Sequence, residues 1–297
     1  MTTITATTIL RSRNANRPEK VLSTLLLRYP RPIHGEFMTH RQFSRNASSS
    51  RAIPVKKLIQ DVMDDPFIPV HWGKNQKGMQ AHEEFSETEA REFESWWMTA
   101  RDNAVAAAQG GADEGLHKQI VNRLLEPFAH ITVVVSSTEW SNFLALRDHP
   151  DAEPHIAMLA REVRKELDRE DNIQTLEPGQ WHLPFVTTQD YDDCHWAPDE
   201  QQMDTRLIAK SVAHCASTSY KTVEGFDMTM ERAIWLHDKL VGSSPLHASP
   251  AEHVAQADSW DETEVAIFGR EPWVNVDEHG NFEGFRQYRK MLPNECL

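Results

Sequence analysis

The chain has 297 residues, enough to bury a sizeable core within one large domain. Its formal net charge of -14 and pI near 5.5 argue against a protein that holds duplex nucleic acid through the backbone, which needs a basic surface. No stretch approaches the roughly 20 apolar residues of a membrane helix, Arg11 and Arg13 follow the first apolar residues in the wrong order for a secretory signal, and Cys194, Cys215 and Cys296 form no disulfide framework, which together predict a cytoplasmic protein with neither membrane nor nucleic acid as partner.

Residues 4–10 and 21–28 are rich in β-branched residues and leucine, and Asn14 to Pro18 supplies turn chemistry, so residues 1–30 are expected to form a hairpin that Pro30 and Pro32 end. The periodicity predicts a helix over 84–108 with Phe93, Trp96, Trp97 and Ala100 on one side, stopped by Gly110 and Gly111. Helices are expected over 117–126, where Ile120, Leu124 and Phe128 make the apolar stripe, and over 138–147, with a buried strand at Val133–Val135 between them. A charged amphipathic helix follows over 153–169, then a loop-rich connector over 171–206. Residues 229–241 predict a last helix closed by Gly242. Strands and helices do not alternate in a βαβ rhythm, so the expected class is α+β, a single domain.

The densest chemistry lies between His40 and Arg51, where cations, hydroxyls and an amide are packed together. Short hydroxylated side chains let backbone N–H groups approach an anion, and an arginine adds a planar two-point grip, so Ser48, Ser49, Ser50 and Arg51 are candidates for holding a phosphate. In the predicted helix over 138–147, Arg147 falls among Trp140, Phe143 and Leu144 at about 100° per residue. A guanidinium in an apolar stripe needs a partner, either a structural carboxylate or a ligand.

These residues resemble the flavin-dependent thymidylate synthases. That family carries R-H-R-x-x-S-x-N-x-x-S-x-R, and here His40, Arg41, Ser44, Asn46, Ser49 and Arg51 match six of the seven fixed positions, with Thr39 replacing the first arginine. Ala47 stands where the family often has an acidic residue. Asn142 to Arg147 resembles the family's N-F-L-x-L-R, and Asn122 to Pro127 resembles A-R-x-x-L-P. Ser136 and Thr138 stand where the family has an Asn-x-Arg pair that helps hold the flavin, and Asp151 stands where a histidine follows the arginine. Val212 to Tyr220, the helix after it, and His247 to His253 resemble the family's usual amino-terminal section, ending in its H-x-[ST]-P-F-E-H box. Here that section, within 207–297, follows the signature and helical core of 31–170, which implies a circularly rearranged order. The ending from Phe285 to Lys290 looks like that of a bacteriophage subgroup, in which case the cytoplasm is a host's. Matched segments cover about two fifths of the chain, with little resemblance in 55–116 and 157–206.

The resemblance implies an α+β fold with a mixed antiparallel sheet, a homotetramer with shared active sites, and methylation of deoxyuridylate (dUMP). FAD would be the cofactor, with 5,10-methylenetetrahydrofolate and NADPH as co-substrates. It implies that Arg147 polarises the uracil, that Ser48, Ser49, Ser50, Arg51 and Arg123 hold the phosphate, and that His40, Arg41, Asn142 and His253 position the flavin. Helical phase alone makes Arg123 an ordinary surface arginine. A thiolate mechanism is disfavoured because Cys194-His195 lacks the Pro-Cys-His context. No H-E-x-x-H spacing points to a metal. Two neighbouring activities stay open: hydroxymethyl transfer to dUMP or dCMP with the same folate, and nucleotide binding without catalysis.

Overall fold

A computed structural model describes residues 3–194, 199–219, 228–263, 272–293 and 295; His195, Tyr220 and Cys296 lie outside them. The hairpin forms as expected. Strands β1 (Thr5–Asn14) and β2 (Arg17–Pro30) pair antiparallel from Thr5↔Arg28, and the Asn14 side chain accepts the Asn16 N–H at 2.9 Å to close the turn. Strand β4 (His130–Ser137) pairs antiparallel with β2, and β3 (Ser44–Ala47) lies outside β4. Strand β5 (Ile173–Leu176) adds in parallel to β1, completing the order β3-β4-β2-β1-β5. A second, three-stranded sheet joins β6 (Trp181–His182), β7 (Ala255–Ala257) and β8 (Phe285–Gln287). The fold is therefore α+β with a mixed sheet.

Because side chains alternate along a strand, the large sheet separates two environments. Leu25, Leu27, Tyr29, Val133 and Val135 face one side, where Phe37, Phe143, Ile156, Leu159 and Val163 cover them. Ile156, Leu159 and Val163 come from helix α6 (Pro154–Leu167), whose N-cap Glu153 accepts from the His155 and Ile156 N–H groups. Leu22 faces the other side, packed against Phe282 and Phe285 of the carboxy-terminal half.

Three expectations need correction. Helix α3 runs Glu87–Asp113, straight through Gly110 and Gly111. It stops at Gly115, with φ of +82°, where the Leu116 N–H bonds the Gly111 carbonyl and the Gly115 N–H bonds the Ala112 carbonyl. Each helical glycine costs only ~1 kcal/mol, less than the packing of Ala104, Val105, Ala108 and Ala112 on the helix α2 (Val55–Asp64) region regains. Trp96 stays 61% exposed, so the buried face follows Trp97 instead. Residues 117–126 make only a short helix, α4 (Lys118–Val121), followed by tight 3-10 turns at Asn122–Leu124 and Glu126–Phe128. Pro127 disfavours the α conformation at Glu126. The phase slips, burying Val121, Asn122 and Leu125 and leaving Ile120 and Leu124 outside. The connector over 171–206 holds β5, β6, α7 (Thr188–Cys194) and the start of α8 (Glu200–Ala216), capped by Asp199. Helix α9 (Met230–Val241) ends at Gly242 as expected.

Candidate functional site

The sequence between α1 (His34–Phe37) and β3 makes one wall of a cavity of about 250 Å³. Thr39, His40, Arg41, Gln42 and Phe43 line it from this side, and Glu139, Asn142 and Phe143 line it from α5 (Ser141–Arg147) and the turn before it. His40, Arg41 and Asn142, about a hundred positions apart, thus meet on one opening. Sequence reasoning missed Gln42, Phe43, Glu139 and Phe143, although each is a near neighbour of a residue it chose.

Arg147 sits behind this wall, with its side chain 21% exposed. Its Nε donates to His40 Nε2 at 2.9 Å, Nη1 to Glu36 Oε2 at 3.1 Å and Nη2 to Thr39 Oγ1 at 3.4 Å. The pairing explains how a guanidinium survives beside Phe143. A guanidinium has five N–H donors, so one on each Nη is left without a partner among the described residues. Since Arg147 donates, His40 Nε2 must accept, which assigns the neutral Nδ1–H tautomer. Burial, then Arg147 and Arg45, push the His40 pKa down to about 4. Thr39, which replaces the first arginine of the resembled signature, serves here as an acceptor for Arg147.

The rest of the signature is divided by the pleat. Ser44 and Asn46 fall on the opposite face of β3 from Phe43. Ser44 donates to Asn281 Oδ1 at 3.1 Å and accepts from Gln287 Nε2 at 3.2 Å, while Asn46 Nδ2 donates to the Cys215 carbonyl. They fasten the carboxy-terminal half to the sheet. Ser136 lies on that same face, fully buried, within 2.9 Å of His253 Nδ1 and 2.6 Å of Thr24 Oγ1. Thr24 and Ser12 then bracket His182 at 2.8 and 2.7 Å. His253 is therefore not at the cavity of His40 but under the other face of the sheet, where its Nε2 has no partner among the described residues. Thr138 accepts the Glu283 N–H at 3.0 Å. Both residues that replace the family's Asn-x-Arg pair thus serve internal bonds.

The serine loop lies at the far end of β3. Ser48 accepts the Thr132 N–H at 3.1 Å, and the buried Asn122 donates to the Ser50 and Ile53 carbonyls at 2.7 and 3.0 Å. Ser49 is half-buried and Arg51 exposed. The Ser50 hydroxyl donates to Glu126 Oε1 at 2.6 Å, and Arg31 and Arg123 each reach the same carboxylate at 3.3 Å. Arg123 is thus a surface arginine that the fold aims at the loop. Glu126 occupies the position where the resembled pattern has leucine, the signal that could have found it. Replacing Asn122 with alanine is expected to cost about 2 kcal/mol, since two carbonyls lose their donor, and urea unfolding measures it.

Among the described residues, no group of three or more His, Cys, Asp or Glu side chains could hold a metal ion, and no helix is long and apolar enough to cross a membrane. Cys194 and Cys215 are buried thiols that form no disulfide. No family model matches the chain, and no curated protein matches it. Among solved structures, it is similar to a UMP/dUMP methylase PolB from Streptomyces cacaoi bound with 5-Br dUMP, at 16% identity and a TM-score of 0.47, covering 58% of this chain and 92% of that one. The same methylase bound with 5-Br UMP gives 16% identity and a TM-score of 0.48, covering 58% and 91%. At that identity and TM-score the likeness carries no functional argument.

Proposed function

We propose that the protein methylates dUMP to thymidylate, taking the one-carbon unit from 5,10-methylenetetrahydrofolate, with FAD as cofactor and NADPH as reductant. The observation that carries this reading is the meeting of His40, Arg41 and Asn142 on one cavity, with Arg147 bonded to its wall. The donor set suits a flat heteroaromatic ring: a neutral imidazole, a cation and an amide. The cavity's 250 Å³ falls below the ~300–1,000 Å³ that encloses a whole ligand. In this reading a second subunit supplies the remaining surface, as in a homotetramer with shared sites. Bound flavin would supply the hydride that completes the methyl group.

The chain's own residues hold and activate the nucleotide. Arg147, fixed by Glu36 and His40, presents its remaining N–H groups to the uracil and stabilises negative charge developing at N3 or O4. That charge enriches C5, which bonds to the methylene carbon of the folate and loses its proton; the carbon–nitrogen bond to the folate then breaks and tetrahydrofolate leaves. The serine loop with Arg51 and Arg123 holds the phosphate. His253 acts from beneath the sheet, keeping Ser136 in place, and does not touch the flavin from this subunit. The engagement of Ser136 and Thr138 in internal bonds favours a second reading, in which flavin is held differently and a hydroxymethyl group is transferred to dUMP or dCMP without reduction.

The visible spectrum of the purified protein, followed by product mass from dUMP, methylenetetrahydrofolate and NADPH, tests the proposal. Flavin absorbance with a methylated product is the expected result. A hydroxymethylated product supports the second reading. A colourless protein that FAD does not reconstitute, and that forms no product, overturns both and leaves a nucleotide-binding relative.

A further inference from the structure

The serine loop holds an anion of its own. Ser50 Oγ donates to Glu126 at 2.6 Å, Arg31 Nη2 and Arg123 Nη1 both lie 3.3 Å from the same carboxylate, and no other acid bonds this cluster among the described residues. Donors of this kind in this arrangement suit a phosphate: a hydroxyl and two guanidinium forks converging on one point. Arg31 is only 20% exposed, so the cluster cannot be left without an anion except at the cost of a half-buried, uncompensated cation. Either the carboxylate or an incoming anion must be present.

We propose that Glu126 is an exchangeable occupant of the phosphate cradle, which a substrate phosphate displaces on binding and which sets how strongly the loop selects for that group. Glu126 begins a 3-10 turn, and its side chain is 21% exposed, so a rotation about its side-chain bonds carries the carboxylate into solvent without unfolding the turn. Asn122 and Ser48 hold the loop backbone independently of Glu126, through the Ser50 and Ile53 carbonyls and the Thr132 N–H. The cradle therefore keeps its shape when the carboxylate leaves. Until then Glu126 opposes any anion by like charge, so a ligand must carry enough negative charge, and enough contact elsewhere, to complete the exchange. This exchange rests on the loop being the holder of a nucleotide phosphate.

A structural anchor and an exchangeable occupant respond oppositely to removal of the charge. Glu126→Gln keeps an acceptor for Ser50 but removes the competing anion. Calorimetric titration with inorganic phosphate, dUMP and deoxyuridine is expected to show phosphate and dUMP binding at least tenfold tighter to the variant, with deoxyuridine unchanged. Phosphate affinity that is absent, equal or weaker in the variant overturns the proposal. Should the glutamine variant fold poorly, Glu126→Asp shortens the side chain, withdraws the carboxylate and is expected to tighten phosphate binding in the same direction. The two readings fail separately. If phosphate tightens while dUMP binds no better than phosphate, the exchange stands and the nucleotide assignment falls. If dUMP binds both proteins equally well, the nucleotide assignment stands and the exchange falls.

Discussion

Replacing Arg147 with alanine is expected to lower turnover of dUMP by at least a hundredfold while flavin remains bound. Removing one preorganised donor aimed at developing charge costs on the order of 10²–10³ in kcat in enzymes that rely on it, and Arg147 is the cation fixed closest behind the cavity wall. Its three bonds, to His40, Glu36 and Thr39, lock the guanidinium plane before any substrate arrives. Arg147→Lys keeps the charge but not the planar fork, so it is expected to restore only part of the rate. Flavin content, read from the visible spectrum, separates loss of activation from loss of the site, because His40, Arg41 and Asn142 remain in all variants. Retained turnover in Arg147→Ala would remove it from the mechanism.

Acid is expected to destabilise the protein already between pH 7 and pH 5, before most carboxylates titrate. His182 and His253 are both completely buried, and burial, joined for His182 by the nearby His253, holds each pKa down at about 3. Among the described residues neither meets a carboxylate: the partners are the hydroxyls of Ser12, Thr24 and Ser136. A histidine whose folded pKa lies below the unfolded value of about 6.5 binds its proton preferentially in the unfolded chain. Its contribution is complete above pH 6.5 and drains away as pH falls from there toward 3. Between pH 7 and pH 5 the two together are expected to cost about 4 kcal/mol, a large share of a typical folding free energy. His40 and His130, each held at about 4 mainly by burial, act in the same direction. Urea unfolding at the two pH values measures the loss. His182→Gln, which keeps two polar contacts and cannot titrate, is expected to reduce the slope. An unfolding free energy unchanged between pH 7 and 5 would show that these imidazoles are not buried and neutral.

Both predictions depend on features that differ in how visible they are along the chain. Arg147 was legible because its phase beside Phe143 is a local property: residues four apart in a helix share a face. What that arginine bonds was not legible, since Glu36 and Thr39 arrive from α1 and the turn after it, more than a hundred positions away. The buried hydroxyl and imidazole chain was invisible for the same reason, because Ser12, Thr24, Ser136, His182 and His253 come from five separate segments.

Local patterning along the chain was enough to give the hairpin, the class and the position of α9, and to single out the short segment that carries His40 and Arg41. Alternation, caps and motif spacing act over a few neighbouring residues, where backbone geometry leaves little choice. The tertiary fold set which face each signature residue takes. A period of two sends Phe43 to one side of the sheet and Ser44 and Asn46 to the other, and what waits on each side is fixed by strand order, a non-local property. It likewise decided that α3 passes through Gly110 and Gly111, that Asp199 caps a long helix in a stretch expected to be loop, and that Glu126 turns into the serine loop. Each is an outcome of packing energies that outweigh a local preference of ~1 kcal/mol, and no local pattern records them.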